Sequence, residues 1–290
     1  MSIIISASRR TDIPAFYMEW FMTQIERGFF EITNPYNGHI SLVSSTPDNV
    51  HSIVFWSKNF GPFIRGSYDN ILREKGYHLF FNFTINSENA LLEPHVPPLS
   101  ERLNQLAHLS SHLGVTCIHW RFDPICFYCR DDEAMQDNCH DFRQIAESAS
   151  ACGVQTCITS FMDHYPKIRK RTRDINGFSF TDPPDSIKLA KLREMETVLT
   201  PLNIRLFTCC EQPLLDQLPS GSGIGKSACI PGDLLLKIFG GDLSLKKDKG
   251  QRIRQGCGCQ MSVDIGSYAC HPCYHNCLFC YANPKEKSAS

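Results

Sequence analysis

The chain has 290 residues, 42% of them hydrophobic, and a formal net charge of −1. That length suits one large domain or a domain with an appendage, and the balanced charge excludes a global field that would draw in nucleic acid or an anionic membrane, so a nucleic-acid partner would need a local basic patch. No apolar run of about 18 residues is present, which excludes a transmembrane helix and a membrane partner, and the opening stretch carries its charges after its apolar residues, the reverse of a secretory signal; a cytoplasmic location is expected.

Apolar, strand-like runs then alternate with amphipathic stretches. Ile3–Ala7 is followed by a helical pattern over Ala15–Arg27, and the short runs Phe29–Thr33 and Ile40–Val43 suggest a hairpin. Next come strand Ile53–Trp56 and helix Phe60–Lys75, strand His78–Ile85 and helix Leu99–Leu113, and strand Val115–Phe122 and helix Glu133–Ala151. Strand Val154–Phe161, helix Asp185–Leu199 and strand Ile204–Thr208 close the series. The last three helices repeat apolar residues at spacings of three and four, and Gly114 and Gly153 follow two of them as C-caps.

Strand–helix alternation with continuous apolar strands predicts a parallel sheet with helices outside. The six units fit an incomplete (β/α)6 TIM-like barrel over residues 1–217, with a doubly wound open sheet as the alternative. Either fold places chemistry at the C-terminal ends of the strands. Those ends are polar: Ser8-Arg9-Arg10-Thr11-Asp12, Ser57-Lys58-Asn59, Arg121-Phe122-Asp123-Pro124, then Ser160, Asp163 and His164, and last Cys209-Cys210-Glu211. Any one of these residues reads equally well as a helix cap or surface ion pair; the set reads as a site.

Fifteen cysteines in a chain expected in a reducing compartment are metal ligands, redox groups or buried apolar residues rather than disulfides. From about Leu218 a Gly/Ser-rich loop, a basic run and a cysteine-rich tail replace the alternation. This segment, 218–290, is too short for its own core and is expected to need metal, or docking over the strand ends, to be ordered. Within it Cys273, Cys277 and Cys280 have the spacing C-x3-C-x2-C. Three thiolates so close on one loop can ligate three irons of a [4Fe–4S] cube and leave the fourth open. The open iron can take the amino and carboxylate groups of S-adenosylmethionine, whose carbon–sulfur bond one electron then breaks. Cys270 extends the pattern to four cysteines, and His271 or His275 could replace one of them, so a closed structural zinc site has the same spacing.

With Phe279 before the last cysteine, this spacing resembles the radical S-adenosylmethionine superfamily motif. Over nearly its whole length the chain also resembles a bacterial domain-of-unknown-function family whose C-terminal cysteines are similar to that motif. The stretches that carry this likeness include SRRTDIPAFY, NPYN, FWSKN, WRFDPI, TSFMDHY, TCCE, QRIRQGCGC, VDIGSY and CLFCYAN. The RFDPI stretch is similar, over a short span, to spore photoproduct lyase and its relatives, radical enzymes acting on DNA lesions. The resemblance implies a 5′-deoxyadenosyl radical acting on a peptide, nucleic acid or small metabolite, and a one-electron donor such as flavodoxin or ferredoxin. It also marks a departure: the superfamily loop usually follows the first strand, whereas here the triad lies at the far end and must fold back over the barrel mouth.

By strand-end position, Lys58, Asn59, Arg121 and Asp123 are candidates for the methionine carboxylate, ribose or substrate. Arg9, Arg10 and Asp12 are candidates for contacting the cluster loop or substrate, and Glu211 for a ribose hydrogen bond or a base. Cys209, Cys229, Cys257 and Cys259 fall in further cysteine-bearing stretches of the family, which implies a second iron–sulfur or zinc site; buried free thiols are the alternative. Cys126 and Cys129 read as unrelated surface cysteines, Trp56 and Trp120 as core, and the run Lys167–Arg173 as solvated charge. Gly221–Ser227 has Ser220 where a phosphate loop needs its first glycine, and reads as a connector. The rival functions are a non-catalytic, metal-stapled binding module for nucleic acid or protein, and an electron-transfer or metal-sensing protein with fully ligated clusters.

Overall fold

A computed structural model describes residues 2–34, 38–131 and 133–282; Pro35, Tyr36 and Asn37 of the NPYN stretch and Asn283 of CLFCYAN lie outside the described residues. The apolar runs form strands β1 (Ile3–Ala7), β2 (Val50–Ser57), β3 (Leu79–Thr84), β4 (Ile118–Ile125), β5 (Thr156–Phe161) and β6 (Arg205–Thr208). These lie side by side in chain order, each parallel to the next. The cysteine-rich segment adds the two edges: β7 (Gly225–Lys226) pairs with β6, and β8 (Val263–Asp264) pairs with β1. The result is an eight-stranded parallel sheet in a mixed α/β protein. Among the described residues no sheet is closed, because β7 and β8 remain separate edges.

The steady strand order has a consequence for the layers. Right-handed crossovers between strands that never reverse direction put every connecting helix on the same face. Side chains alternate across a strand, so Ile5, Phe55, Phe81 and Trp120 turn to that face. There they pack with α1 (Met18–Arg27), α2 (Leu99–Leu113), α3 (Phe142–Ala151) and α4 (Asp185–Leu199) through Phe21, Leu106, Ile145 and Leu192. All eight of these side chains are fully buried. Phe55, Phe63 and Phe81 pack with ring centroids 5.1–5.7 Å apart, Phe55 stacked on Phe81 and Phe63 edge-on to both, and burying each ring stabilises the fold by roughly 2–3 kcal/mol. The opposite face presents Ile4, Val54, Phe80 and Ile158, covered by Ile230 and by Leu235 of α5 (Gly232–Phe239).

Several boundaries differ from those the periodicity predicts. The first helical pattern breaks at Tyr17 (φ −136°) into a turn over Ile13–Phe16 and α1. The second breaks at Ser67 (φ +49°) into Gly61–Arg65 and Tyr68–Glu74. Val115–Cys117 is a 3-10 turn, and β4 runs on to Ile125. Helix α3 begins only at Phe142, because Asn138 bonds the Cys126 N–H (2.8 Å) and the Pro124 carbonyl (3.1 Å) and ties the preceding segment to the end of β4. That segment supplies Gln136–Asp137 to a small antiparallel sheet with Phe127–Arg130 and Phe178–Thr181. The hairpin Phe29–Thr33 with Ile40–Ser44 forms as expected, and Gly114 and Gly153 take the left-handed φ values, 82° and 80°, that end helices. Among the described residues no helix is long and apolar enough to cross a membrane.

Candidate functional site

The face of the sheet opposite the crossover helices changes character along the strands. It is apolar where they begin and polar where they end, and a cavity of about 760 Å³ opens over those ends, lined both by strand-end residues and by the tail. The tail is fastened there by Asp12. Its buried carboxylate caps the turn after β1 by accepting from the Ala15 N–H (3.0 Å), and accepts from the Ser57 hydroxyl (2.7 Å) and the Lys58 N–H (2.9 Å) at the end of β2. Nε2 of buried His275, between Cys273 and Cys277, lies 2.8 Å from the same carboxylate.

Further contacts hold the cysteine loop. Tyr17 donates to the Pro272 carbonyl (2.6 Å), and the Leu278 N–H donates to the Leu92 carbonyl (2.9 Å). Arg171, half-buried, donates to the carbonyls of Cys277, Leu278, Cys280 and Ala282 at 2.8–3.2 Å. This residue corrects the reading of its basic run as solvated charge: one member of the run orders the tail. Lys58 pairs with Glu93 (2.5 Å) and sits 5.2 Å over the Phe279 ring. Burial acts against the ammonium, but the Glu93 carboxylate and the Cys277 sulfur together outweigh it and hold the Lys58 pKa above its ordinary value. Glu93 carries no sequence signal, since it lies in the irregular stretch between β3 and α2.

Cys273, Cys277 and Cys280 all line the cavity, whereas Cys270 is exposed and outside it. Burial pushes Cys273 up to about 12, with Asp12 adding to the effect. Burial and then Glu93 raise Cys277, whose thiol stands 3.9 Å from that carboxylate. In such surroundings the thiols are kept protonated until a cation takes the proton's place.

A second cysteine group faces the same cavity. Cys209 at the end of β6 lies 3.2 Å from Cys229 and 3.7 Å from Cys210, sulfur to sulfur. Cys257 and Cys259 line the same cavity beside them. Cys210 was named from sequence only within the polar strand end and not as a ligand of this group, since successive strand residues point to opposite faces. Its left-handed φ of 64° turns its sulfur back beside Cys209. Among the described residues no three His, Cys, Asp or Glu side chains already surround one point as a formed metal site does; the donors are gathered side by side.

The remaining candidates divide clearly. Arg121 donates to the Cys229 sulfur (3.1 Å), pairs with Asp123 (2.5 Å) and lies 5.3 Å over Trp56. Trp56, read from sequence as core, therefore lines the cavity. Asp123 also accepts from Ser160 (2.5 Å) and bonds Asn86 through its N–H (2.8 Å). Arg9 and Arg10 both reach Asp264 of β8, through the Arg9 N–H (2.8 Å) and the Arg10 guanidinium (3.3 Å). Asn59 and Glu211 do not line the cavity. Asn59 accepts from the Gly61 N–H and from Gln105, each at 2.9 Å, and so starts the next helix. Glu211 accepts from the Phe161 N–H (2.9 Å), and burial raises it to about 7. Cys126 is fully buried rather than superficial, Cys129 is half-buried, and Trp120 is core as expected.

Fold and site together define a mixed α/β protein in which two groups of cysteines face one cavity at the C-terminal ends of a parallel sheet. The chain belongs to the family described as Domain of unknown function (DUF1848), which matches residues 4–282. Compared with curated proteins, it has no match.

Proposed function

We propose that the protein is a radical S-adenosylmethionine enzyme whose [4Fe–4S] cluster is held by Cys273, Cys277 and Cys280. The observation that carries this reading is the placement of those three thiols on the cavity wall, with Cys270, the one cysteine that would complete a closed set of four in the motif, turned outside. The donor set fits the group: three soft thiols on one short loop, with no fourth cysteine of the motif beside them. When bound, such a cluster supplies the electron that cleaves S-adenosylmethionine and so starts radical chemistry in the cavity.

The chain's own residues do the rest. Asp12, Tyr17 and Arg171 position the cysteine loop over the strand ends. Lys58 offers a cation beside Cys277, where thiolate charge develops on ligation. The cavity, about 760 Å³, is of the size that takes a small molecule. In this reading the open sheet is the wall of an incomplete TIM-like barrel and the tail is its cover. The electron comes from a flavodoxin- or ferredoxin-type donor. The likeness of Arg121–Ile125 to the spore photoproduct lyase group keeps a nucleic-acid substrate beside peptides and metabolites.

Anaerobically reconstituted protein is expected to be brown, to contain iron and sulfide, and to release 5′-deoxyadenosine when given S-adenosylmethionine and reductant. Cys277→Ala abolishes the release. Colourless protein carrying stoichiometric zinc at the triad, with no nucleoside released, would reject the reading.

A further inference from the structure

We propose that Cys209, Cys210, Cys229, Cys257 and Cys259 form a second thiolate metal centre, taking an iron–sulfur cluster or zinc, that opens onto the same cavity as the tail triad. The proposal does not rest on the radical reading, because it concerns other residues and another part of the cavity wall.

Four features separate this group from ordinary buried thiols. First, the five sulfurs come from three distant parts of the chain, the end of β6, the turn before α5 and the tail, yet all five residues line one cavity, with Cys209 3.2 Å from Cys229 and 3.7 Å from Cys210, sulfur to sulfur. Packing alone has no need to match sulfur with sulfur in this way. Second, Arg121, only 5% exposed, aims one guanidinium nitrogen at the Cys229 sulfur at 3.1 Å. A buried guanidinium requires anionic partners; Asp123 supplies one charge and a ligated thiolate supplies another. Arg9 and Arg252 line the same cavity and add positive charge to it.

Third, Cys210 takes a left-handed backbone conformation that non-glycine residues avoid, and thereby turns its sulfur into the group. Fourth, Gly258 lets Cys257 and Cys259 arrive together. A Cβ there would stand 2.9 Å from the Ser227 carbonyl oxygen and 3.4 Å from the Ala228 Cβ, so any larger residue pushes the loop away from the sheet.

A compact set of thiols selects soft cations over magnesium or calcium. Zinc takes four thiolates at bonds of about 2.3 Å, and an iron–sulfur cluster takes thiolates one per iron. In both cases each ligating thiol gives up its proton to solvent; zinc binding moves no electron, and where ferric iron and sulfide build a [4Fe–4S] centre an added thiol reductant supplies the two electrons that bring two of its four irons to the ferrous state. Both sources share this chemistry, and metal analysis tells them apart.

The test uses full-length protein in which Cys273, Cys277 and Cys280 are all replaced by alanine, which removes the tail centre and separates this proposal from the radical reading. It is prepared anaerobically with iron and sulfide or with zinc, and iron, acid-labile sulfide and zinc are measured per chain. The expected result is retention of one centre, either about one zinc or iron with matching sulfide. Adding Cys257→Ser together with Cys259→Ser, which leaves three of the five thiols, is expected to lower that content by about tenfold or more, since a missing thiolate leaves the ion open to water. Cys209→Ser with Cys229→Ser should do the same; because all four of these thiols are buried, circular dichroism checks that each pair variant folds, and either folded pair decides the outcome. As a second readout, iodoacetamide labelling of the five thiols should be suppressed by metal and restored by a chelator. A triple-alanine protein that retains no metal, a folded Cys257→Ser/Cys259→Ser form with full metal content, or labelling indifferent to the chelator would each overturn the proposal.

Discussion

Replacing Asp12 by alanine should cost about 4 kcal/mol and release the tail from the strand ends. The carboxylate accepts from Ala15, Ser57 and Lys58 and contacts His275, at 3.0, 2.7, 2.9 and 2.8 Å. Losing a helix cap costs about 1 kcal/mol. The other three contacts are buried bonds to a charged acceptor, worth roughly 1.5 kcal/mol each if they were independent. They share one acceptor, and removing it leaves several buried groups unpaired at once, for which a total of about 3–5 kcal/mol is the general experience. Asp12→Asn keeps an acceptor for the cap and should lose about half as much. Urea unfolding measures the loss, and limited proteolysis in native buffer shows whether cleavage shifts into the tail. A change under about 1 kcal/mol, with no added cleavage after residue 266, would refute the view that this one carboxylate joins β1, β2 and the cysteine loop.

Two further outcomes are expected. Glu211 titrates at about 7 in the folded protein because it is buried, and at about 4.3 in the unfolded chain. Between those values the folded state binds the extra proton, so stability is greatest below the lower value and falls as pH rises through the upper one. Glu211→Gln keeps an acceptor for Phe161 and removes the buried charge. It should match the parent near about pH 4 and exceed it by about 3.5 kcal/mol near about pH 8; parallel pH profiles from urea melts would contradict the assignment. Arg171→Lys keeps the charge but cannot reach four carbonyls, and should weaken local closure of the tail by about 2 kcal/mol, so that alkylation of buried Cys277 speeds up roughly 30-fold. An unchanged alkylation rate would show that these bonds do not order the loop.

The parallel sheet was legible because its strands are continuous apolar runs separated by amphipathic stretches, and because Leu99–Leu113 and Asp185–Leu199 have unambiguous helical spacing. The tail triad was visible from spacing alone. What escaped depends on the third dimension. Cys210 would point away from Cys209 in any regular strand, and only its φ of 64° unites them. Arg171 looks like its solvated neighbours until the tail's carbonyls arrive beside it. Glu93 belongs to no pattern, yet it pairs with Lys58 and approaches Cys277. Trp56 resembles a core strand residue, but it lies on the face that turns polar at the strand ends, where Arg9 and Arg121 stack on it. Asn59 shows the opposite error, since a polar residue at a strand end was read as a ligand contact and instead begins a helix.

The most direct measurement is the EPR spectrum of the dithionite-reduced, reconstituted protein before and after S-adenosylmethionine is added. The account predicts an iron–sulfur signal that disappears in Cys277→Ala and that changes shape when S-adenosylmethionine binds. A signal indifferent to S-adenosylmethionine, or one that persists in full without Cys277, would contradict it.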